Sequence, residues 1–146
     1  MSITLPRARR ASAPSCVDGM VGYAVNGVAI FNAVDGENRD AVAHELQDRC
    51  GGHPERTGSY HLHSIPACLR RTAGGSGRVV GWAFDGYPIV YEKGVTNVSL
   101  DACHGRTSRV RVFGERVRTY HYNATYEFPY TVGCYRGTPL RMAPPG

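Results

Sequence analysis

The chain repeats itself, and this constrains its fold more than any other feature. Gly22-Tyr23-Ala24-Val25-Asn26-Gly27-Val28-Ala29-Ile30 aligns with Gly81-Trp82-Ala83-Phe84-Asp85-Gly86-Tyr87-Pro88-Ile89. Gly, Ala, Gly and Ile match in place, and Tyr/Trp, Val/Phe and Asn/Asp are conservative changes. Later landmarks follow in the same order: Asp48-x-Cys50 with Asp101-x-Cys103, Tyr60-His61 with Tyr120-His121, and Cys68 with Cys134. Self-similarity of this kind marks one supersecondary unit built twice. Two related halves, 20–70 and 80–137, are therefore expected to pack as one pseudo-symmetric domain. Residues 1–19 would form an N-terminal arm, 71–79 a linker through Gly74-Gly75-Ser76-Gly77, and 140–146 a C-terminal tail. The linker lacks the Lys-Ser/Thr pair that would make it a phosphate cradle.

Each half opens with a hairpin signal. Asn26-Gly27 and Asp85-Gly86 sit between apolar or aromatic residues, and a type I′ turn needs positive φ at both of its central positions. Residues 109–122 alternate around Phe113-Gly114-Glu115, which predicts another hairpin. Its one face carries Val117, Thr119 and His121, and the other Arg116, Arg118, Tyr120 and Tyr122. Asp40 is placed to cap a short helix over 41–48, and a turn is expected at 99–103. With 18 Gly, 9 Pro and 9 Tyr in 146 residues, the composition weighs against a helical bundle. The expected class is mainly β with one or two short helices: a single pseudo-symmetric domain of two β-hairpin-containing repeats. No apolar run approaches the ~20 residues of a membrane helix, so no membrane span is expected.

Tyr60-His61-Leu62-His63 puts both imidazoles on one side of an extended segment, because side chains alternate with period two. A His-x-His strand is a ready bidentate metal site. Its counterpart Tyr120-His121-Tyr122-Asn123 presents His121 and Asn123 in the same way. If the halves pack about a twofold axis, His61, His63 and His121 converge as three imidazoles with an open fourth position, which suits Cu or Zn. The alternative is that these histidines are packed and hydrogen-bonded. His53 and His104 each follow a repeat-matched cysteine and, with Asp85, are candidates for proton transfer near such a metal. His44-Glu45-Leu46-Gln47-Asp48 only echoes a zinc-protease helix, because it ends in Asp where that motif has His. No nucleophile elbow, P-loop or dinucleotide fingerprint occurs.

The five cysteines admit two readings in which they are bonded, beside a third in which they stay free and buried. Repeat logic pairs Cys50 with Cys68 and Cys103 with Cys134 and leaves Cys16 alone, which implies an oxidising compartment. The rival reading is a Cys2His2 zinc site in each half, from Cys50, His53, Cys68 and His61 or His63, and from Cys103, His104, His121 and Cys134. Adjacent Cys103-His104 chelates one ion awkwardly, which favours the disulfides. An extracytoplasmic or secreted location follows from them. Residues 1–15 carry Arg7, Arg9 and Arg10 but no apolar signal-peptide region, which keeps a cytoplasmic location open.

The formal charge of +5 rests on 16 Arg and the single Lys93. Arg109, Arg111, Arg116 and Arg118 have the chemistry to grip phosphate or carboxylate, although a solvated strand edge explains them more cheaply. Tyr120 and Tyr122 lie nearby, but a nucleic-acid partner is not favoured.

Three separate stretches carry a resemblance to a known family. They are Tyr60-His61-Leu62-His63, Tyr120-His121-Tyr122-Asn123 and Phe128-Pro129-Tyr130-Thr131-Val132-Gly133-Cys134-Tyr135-Arg136-Gly137, with Asp85-Gly86-Tyr87-Pro88-Ile89 upstream. Together they resemble the YHYH-domain proteins, a mainly bacterial family named for a Tyr-His-Tyr-His motif, over about residues 22–139. The resemblance implies an often exported protein and no particular activity. Neither copy here spells the full motif: Leu62 stands for the second tyrosine in one, and Asn123 for the second histidine in the other. The residues themselves lead to the expectation of a small His-ligated metalloenzyme, Cu for oxidative or Zn for hydrolytic or Lewis-acid chemistry. Its substrate would be a small molecule or peptide, with arginines orienting an anionic group. The alternative is a non-catalytic metal- or ligand-binding module of the cell envelope.

Overall fold

The computed structural model describes residues 4–34, 40, 52–54, 60–65, 67–72 and 74–140. The protein is mainly β, as the composition requires. In chain order the strands are β1 (Arg10–Ser15), β2 (Met20–Ala24), β3 (Ala29–Phe31), β4 (Gly52–Pro54) and β5 (Tyr60–Leu62). Then come helix α1 (Ala67–Thr72), β6 (Arg78–Ala83), β7 (Pro88–Tyr91), a 3-10 turn (Asn97–Ser99), β8 (Gly105–Val112), β9 (Glu115–Asn123) and β10 (Tyr135–Gly137). The expected helix over 41–48, with its His44 motif, lies outside the described residues. Asp40, expected to cap it, bridges to Val34 and accepts the Tyr130 hydroxyl at 2.7 Å. No described helix is long and apolar enough to cross a membrane.

The main sheet runs β4-β5-β3-β2-β6-β7-β9-β8. Both predicted turns form antiparallel hairpins, β2–β3 across Asn26-Gly27 and β6–β7 across Asp85-Gly86. Only the glycines take positive φ, Gly27 at +86° and Gly86 at +87°, so the turns are not the expected type I′: the Gly27 and Gly86 amides donate to the Ala24 and Ala83 carbonyls, closing three-residue loops that end on a left-handed glycine. The hairpins meet back to back at the middle of the sheet, where β2 and β6 pair antiparallel with Tyr23 opposite Trp82. Outside them the registers correspond. Ile30 pairs with Leu62 as Ile89 pairs with Tyr122. Likewise Gly52 faces Leu62 as Gly105 faces Tyr122.

The core is built on the central strands. Val21, Ile30, Val80, Ala83, Ile89 and Tyr122 are fully buried there, with Leu62, Ile65 and Leu69 beside them. Helix α1, which the periodicity does not announce, is held by Leu69 and by Arg70, whose guanidinium lies between the rings of Tyr91 and Tyr126 at 4.8 and 4.2 Å. The N-terminal arm supplies β1, which pairs with β10 in a second sheet. It crosses the Asp85-Gly86 turn so closely that a Cβ on Gly86 would stand 2.2 Å from the Pro6 carbonyl.

Cys103 and Cys134 form the expected disulfide. That corrects the rival zinc reading in the second half, because bonded sulfurs are not thiolate ligands. Cys16 is free and exposed. Cys50 lies outside the described residues, so its proposed bond to Cys68 does too. The Cys103–Cys134 bond closes a 31-residue separation. Cys103→Ser with Cys134→Ser is therefore expected to lower the unfolding free energy by about 3–4 kcal/mol, measured by urea denaturation.

Candidate functional site

Parallel pairing with β3 fixes β5 at the side of the core, where its motif is buried. His61 and His63 are each 2% exposed. Their Nε2 atoms lie 3.2 Å apart. The Nδ1–H of His63 donates to the Asn32 carbonyl at 2.7 Å, which fixes that ring's tautomer and aims its Nε2 lone pair at His61. The ring of Phe31 stacks on His61 at 4.0 Å and meets His63 edge-on. On the other side, antiparallel β4 sets His53 directly across from His61. Only the backbone of His53 belongs to the described structure. Among the described residues, no group of three or more His, Cys, Asp or Glu stands close enough to hold a metal ion.

His121 occupies the corresponding place on β9, but β3, β2, β6 and β7 lie between β5 and β9. The structure therefore brings His61 to His63 and sets His121 apart. His121 is fully buried, with Nε2 2.7 Å from Ser108 Oγ and 3.7 Å from Glu92 Oε1. Opposite it, where His53 faces His61, stands Arg106. Arg106 grips Glu92 with two hydrogen bonds, Nε to Oε1 at 3.1 Å and Nη2 to Oε2 at 2.7 Å. Asn123, in the place of His63, donates to the same Glu92 Oε1 at 2.8 Å. Burial pushes the Glu92 carboxyl up, but the bonds from Arg106 and Asn123 outweigh it and hold the group below its ordinary value. Burial keeps the His121 imidazole neutral to lower pH than usual, against the pull of Glu92.

Asp85 is fully buried beside the arm. It accepts the Tyr122 hydroxyl, the Gly137 amide at 3.0 Å and the Tyr87 amide at 3.2 Å, while Tyr122 Oη accepts the Arg136 amide at 2.8 Å. Burial raises its pKa despite those donors. The network ties the second hairpin to β9 and β10, so every described partner of Asp85 is structural. His104 behaves alike. Its Nδ1–H donates to the Thr131 carbonyl, and Nε2 lies 2.8 Å from Asn97 Oδ1 and 3.0 Å from Thr125 Oγ1. Burial lowers its pKa. Beside it Asp101 caps the loop by accepting the Cys103 and Gly105 amides, and it pairs with Arg136 at 2.9 Å. Sequence patterning did not single out Glu92, Ser108 or Arg106. The register match of Arg106 to His53 is the signal that finds them.

A family model described as YHYH protein matches residues 3–99, more than half of the chain. The chain belongs to the YHYH family. The matched stretch contains both turn hairpins and Tyr60-His61-Leu62-His63, and it ends before Tyr120-His121-Tyr122-Asn123. The match thus takes in the two imidazoles that meet together with the second hairpin. No curated protein and no solved structure matches.

The Glu92–Arg106 pair gives a signed pH test. A carboxyl held below its ordinary value of 4.5 stabilises the fold above that pH and loses its contribution as pH falls through the lowered value. Arg106→Gln is expected to cost about 1–3 kcal/mol at pH 7. The gap from the native protein should close as pH falls below 4.5, read from urea midpoints across pH.

Proposed function

We propose that the first half of the protein holds one divalent transition-metal ion, Cu or Zn, on His61 and His63, with His53 as the third imidazole, and applies it to a small or peptidic substrate. The observation that carries this reading is the 3.2 Å between the two Nε2 atoms. Two nitrogens each about 2.0–2.1 Å from one ion at a tetrahedral angle stand about 3.3–3.4 Å apart. The bond from His63 Nδ1–H to the Asn32 carbonyl is the outer contact that metal-binding imidazoles use to fix tautomer and aim. Residues directly opposite on antiparallel strands share a face, so the register of His53 against His61 supports its choice over His121.

The two halves read as descendants of one unit in which only the first kept its ligands. Arg106 and Asn123 stand at the places of His53 and His63, and their bonds to Glu92 close the second half with an internal ion pair. Three imidazoles leave a fourth position for water or substrate, and a bound divalent ion there acidifies water or polarises a carbonyl. The burial of His61 and His63, each 2% exposed, supports a second reading, a non-catalytic metal-binding module of the cell envelope. The Cys103–Cys134 disulfide is compatible with an extracytoplasmic location for either.

Elemental analysis and metal titration of protein purified without a polyhistidine tag test the proposal. One ion per chain is expected. His61→Ala and His63→Ala should each weaken binding about 100-fold or more, since loss of an outer contact alone costs about 10–100-fold. Native protein that binds no stoichiometric metal, or binding that survives both substitutions, would overturn it.

A further inference from the structure

Away from the histidines, the β8–β9 hairpin carries a concentrated cationic surface. Arg109 lies directly opposite Arg118, and Arg111 directly opposite Arg116, so all four guanidinium side chains leave one face. Strand β6 adds Arg78 beside Arg111, which puts three arginines at one register level across neighbouring strands. All five are exposed. Like charges facing each other across strands oppose pairing. Among the described residues, no carboxylate lies within ion-pair distance of any of the five. Glu115, the acid nearest in the chain, pairs with Val112 and so belongs to the opposite face.

The same face ends in an aromatic tip. Phe113 is 89% exposed at the hairpin turn and stacks on Trp82, with ring centroids 5.4 Å apart. Its φ of +50°, next to Gly114 at +81°, puts a bulky side chain where Asn or Gly is at ease. An aromatic side chain held in that backbone region and left mostly in water is a feature that folding alone disfavours.

We infer that this face docks on the surface of an anionic phospholipid bilayer, with Phe113 and Trp82 entering the headgroup boundary and the arginines meeting lipid phosphates. The guanidinium fork suits phosphate. A projecting aromatic tip backed by a field of cations is the pattern of interfacial anchoring, in which apolar burial and attraction to anionic lipid add. Each guanidinium, Arg111 with its bond to the Gly114 carbonyl included, gains a counter-charge on docking. The proposal uses none of the histidine residues, so it stands or falls independently of the metal reading.

The chain has a single tryptophan, so Trp82 emission reports directly on this face. The native protein is titrated with vesicles of phosphatidylcholine alone and with phosphatidylglycerol added, and separately with a single-stranded oligonucleotide. Expected are a blue shift and co-sedimentation with the anionic vesicles only, both falling as salt rises. Arg109→Gln with Arg118→Gln should weaken vesicle binding about 10- to 30-fold. Phe113→Asn should remove the blue shift. Both variants relieve a local conflict, so their melting temperatures should equal or exceed the native value, which separates lost docking from lost folding. No binding to anionic vesicles, equal binding to neutral ones, binding to the oligonucleotide alone, or affinity untouched by the substitutions would each overturn the proposal.

Discussion

The antiparallel pairing of β2 with β6 is the contact on which the rest of the structure depends, and two glycines make it possible. A Cβ on Gly22 would stand 2.1 Å from the Trp82 carbonyl, and one on Gly81 would stand 2.9 Å from the Tyr23 carbonyl. With Tyr23 facing Trp82 at the centre, the two hairpins lie side by side. Each then offers its outer strand, β3 or β7, as a parallel template for the strand that carries a Tyr-His motif. The central close approach therefore sets both the position and the burial of the histidines. β5 and β9 each pair parallel with the outer strand of a hairpin, Ile30 with Leu62 and Ile89 with Tyr122.

Positions that correspond in strand register carry different chemistry. In the second half, Arg106 and Asn123 both donate to Glu92, while Asn123 Oδ1 is buried without a partner among the described residues, and His121 is enclosed with Ser108 beside them. A partly buried ion pair with three hydrogen bonds on one carboxylate holds strands together and fixes register. In the first half the corresponding strand brings two imidazoles nitrogen to nitrogen, backed by a backbone carbonyl and an aromatic ring. Closure by an ion pair in one half and a hydrogen-bonded pair of imidazoles in the other is the division from which the functional reading follows. Asp85, buried and saturated by the Tyr122 hydroxyl and two amides, belongs to the architecture that supports this division.

Local chemistry was legible in the sequence and spatial partnership largely was not. Asn26-Gly27 and Asp85-Gly86 announce their hairpins because few residues accept the backbone a tight turn requires. His61 and His63 share a face by strand alternation alone, and the Cys103–Cys134 bond follows from the ordered landmarks. The expectation that His121 would join His61 and His63 assumed that the motif strands were neighbours. The hairpins instead meet through β2 and β6, which sends the motif strands outward in opposite directions. Helix α1 escaped notice because Ala67–Thr72 is too short for a periodic signal and is held by tertiary contacts around Leu69 and Arg70. Glu92 gave no pattern at all, since its role depends on the strand that folds against it.

The central claim is that His61 and His63 present their Nε2 lone pairs to one ion, and imidazole nitrogen NMR tests it most directly. In protein labelled with nitrogen-15 at histidine, zinc is added in steps up to one equivalent. The account predicts that the Nε2 resonances of His61, His63 and His53 shift together and saturate at one ion, while those of His104 and His121 stay in place. Zinc that leaves the His61 and His63 signals unmoved, or that moves His121 together with them, would contradict it.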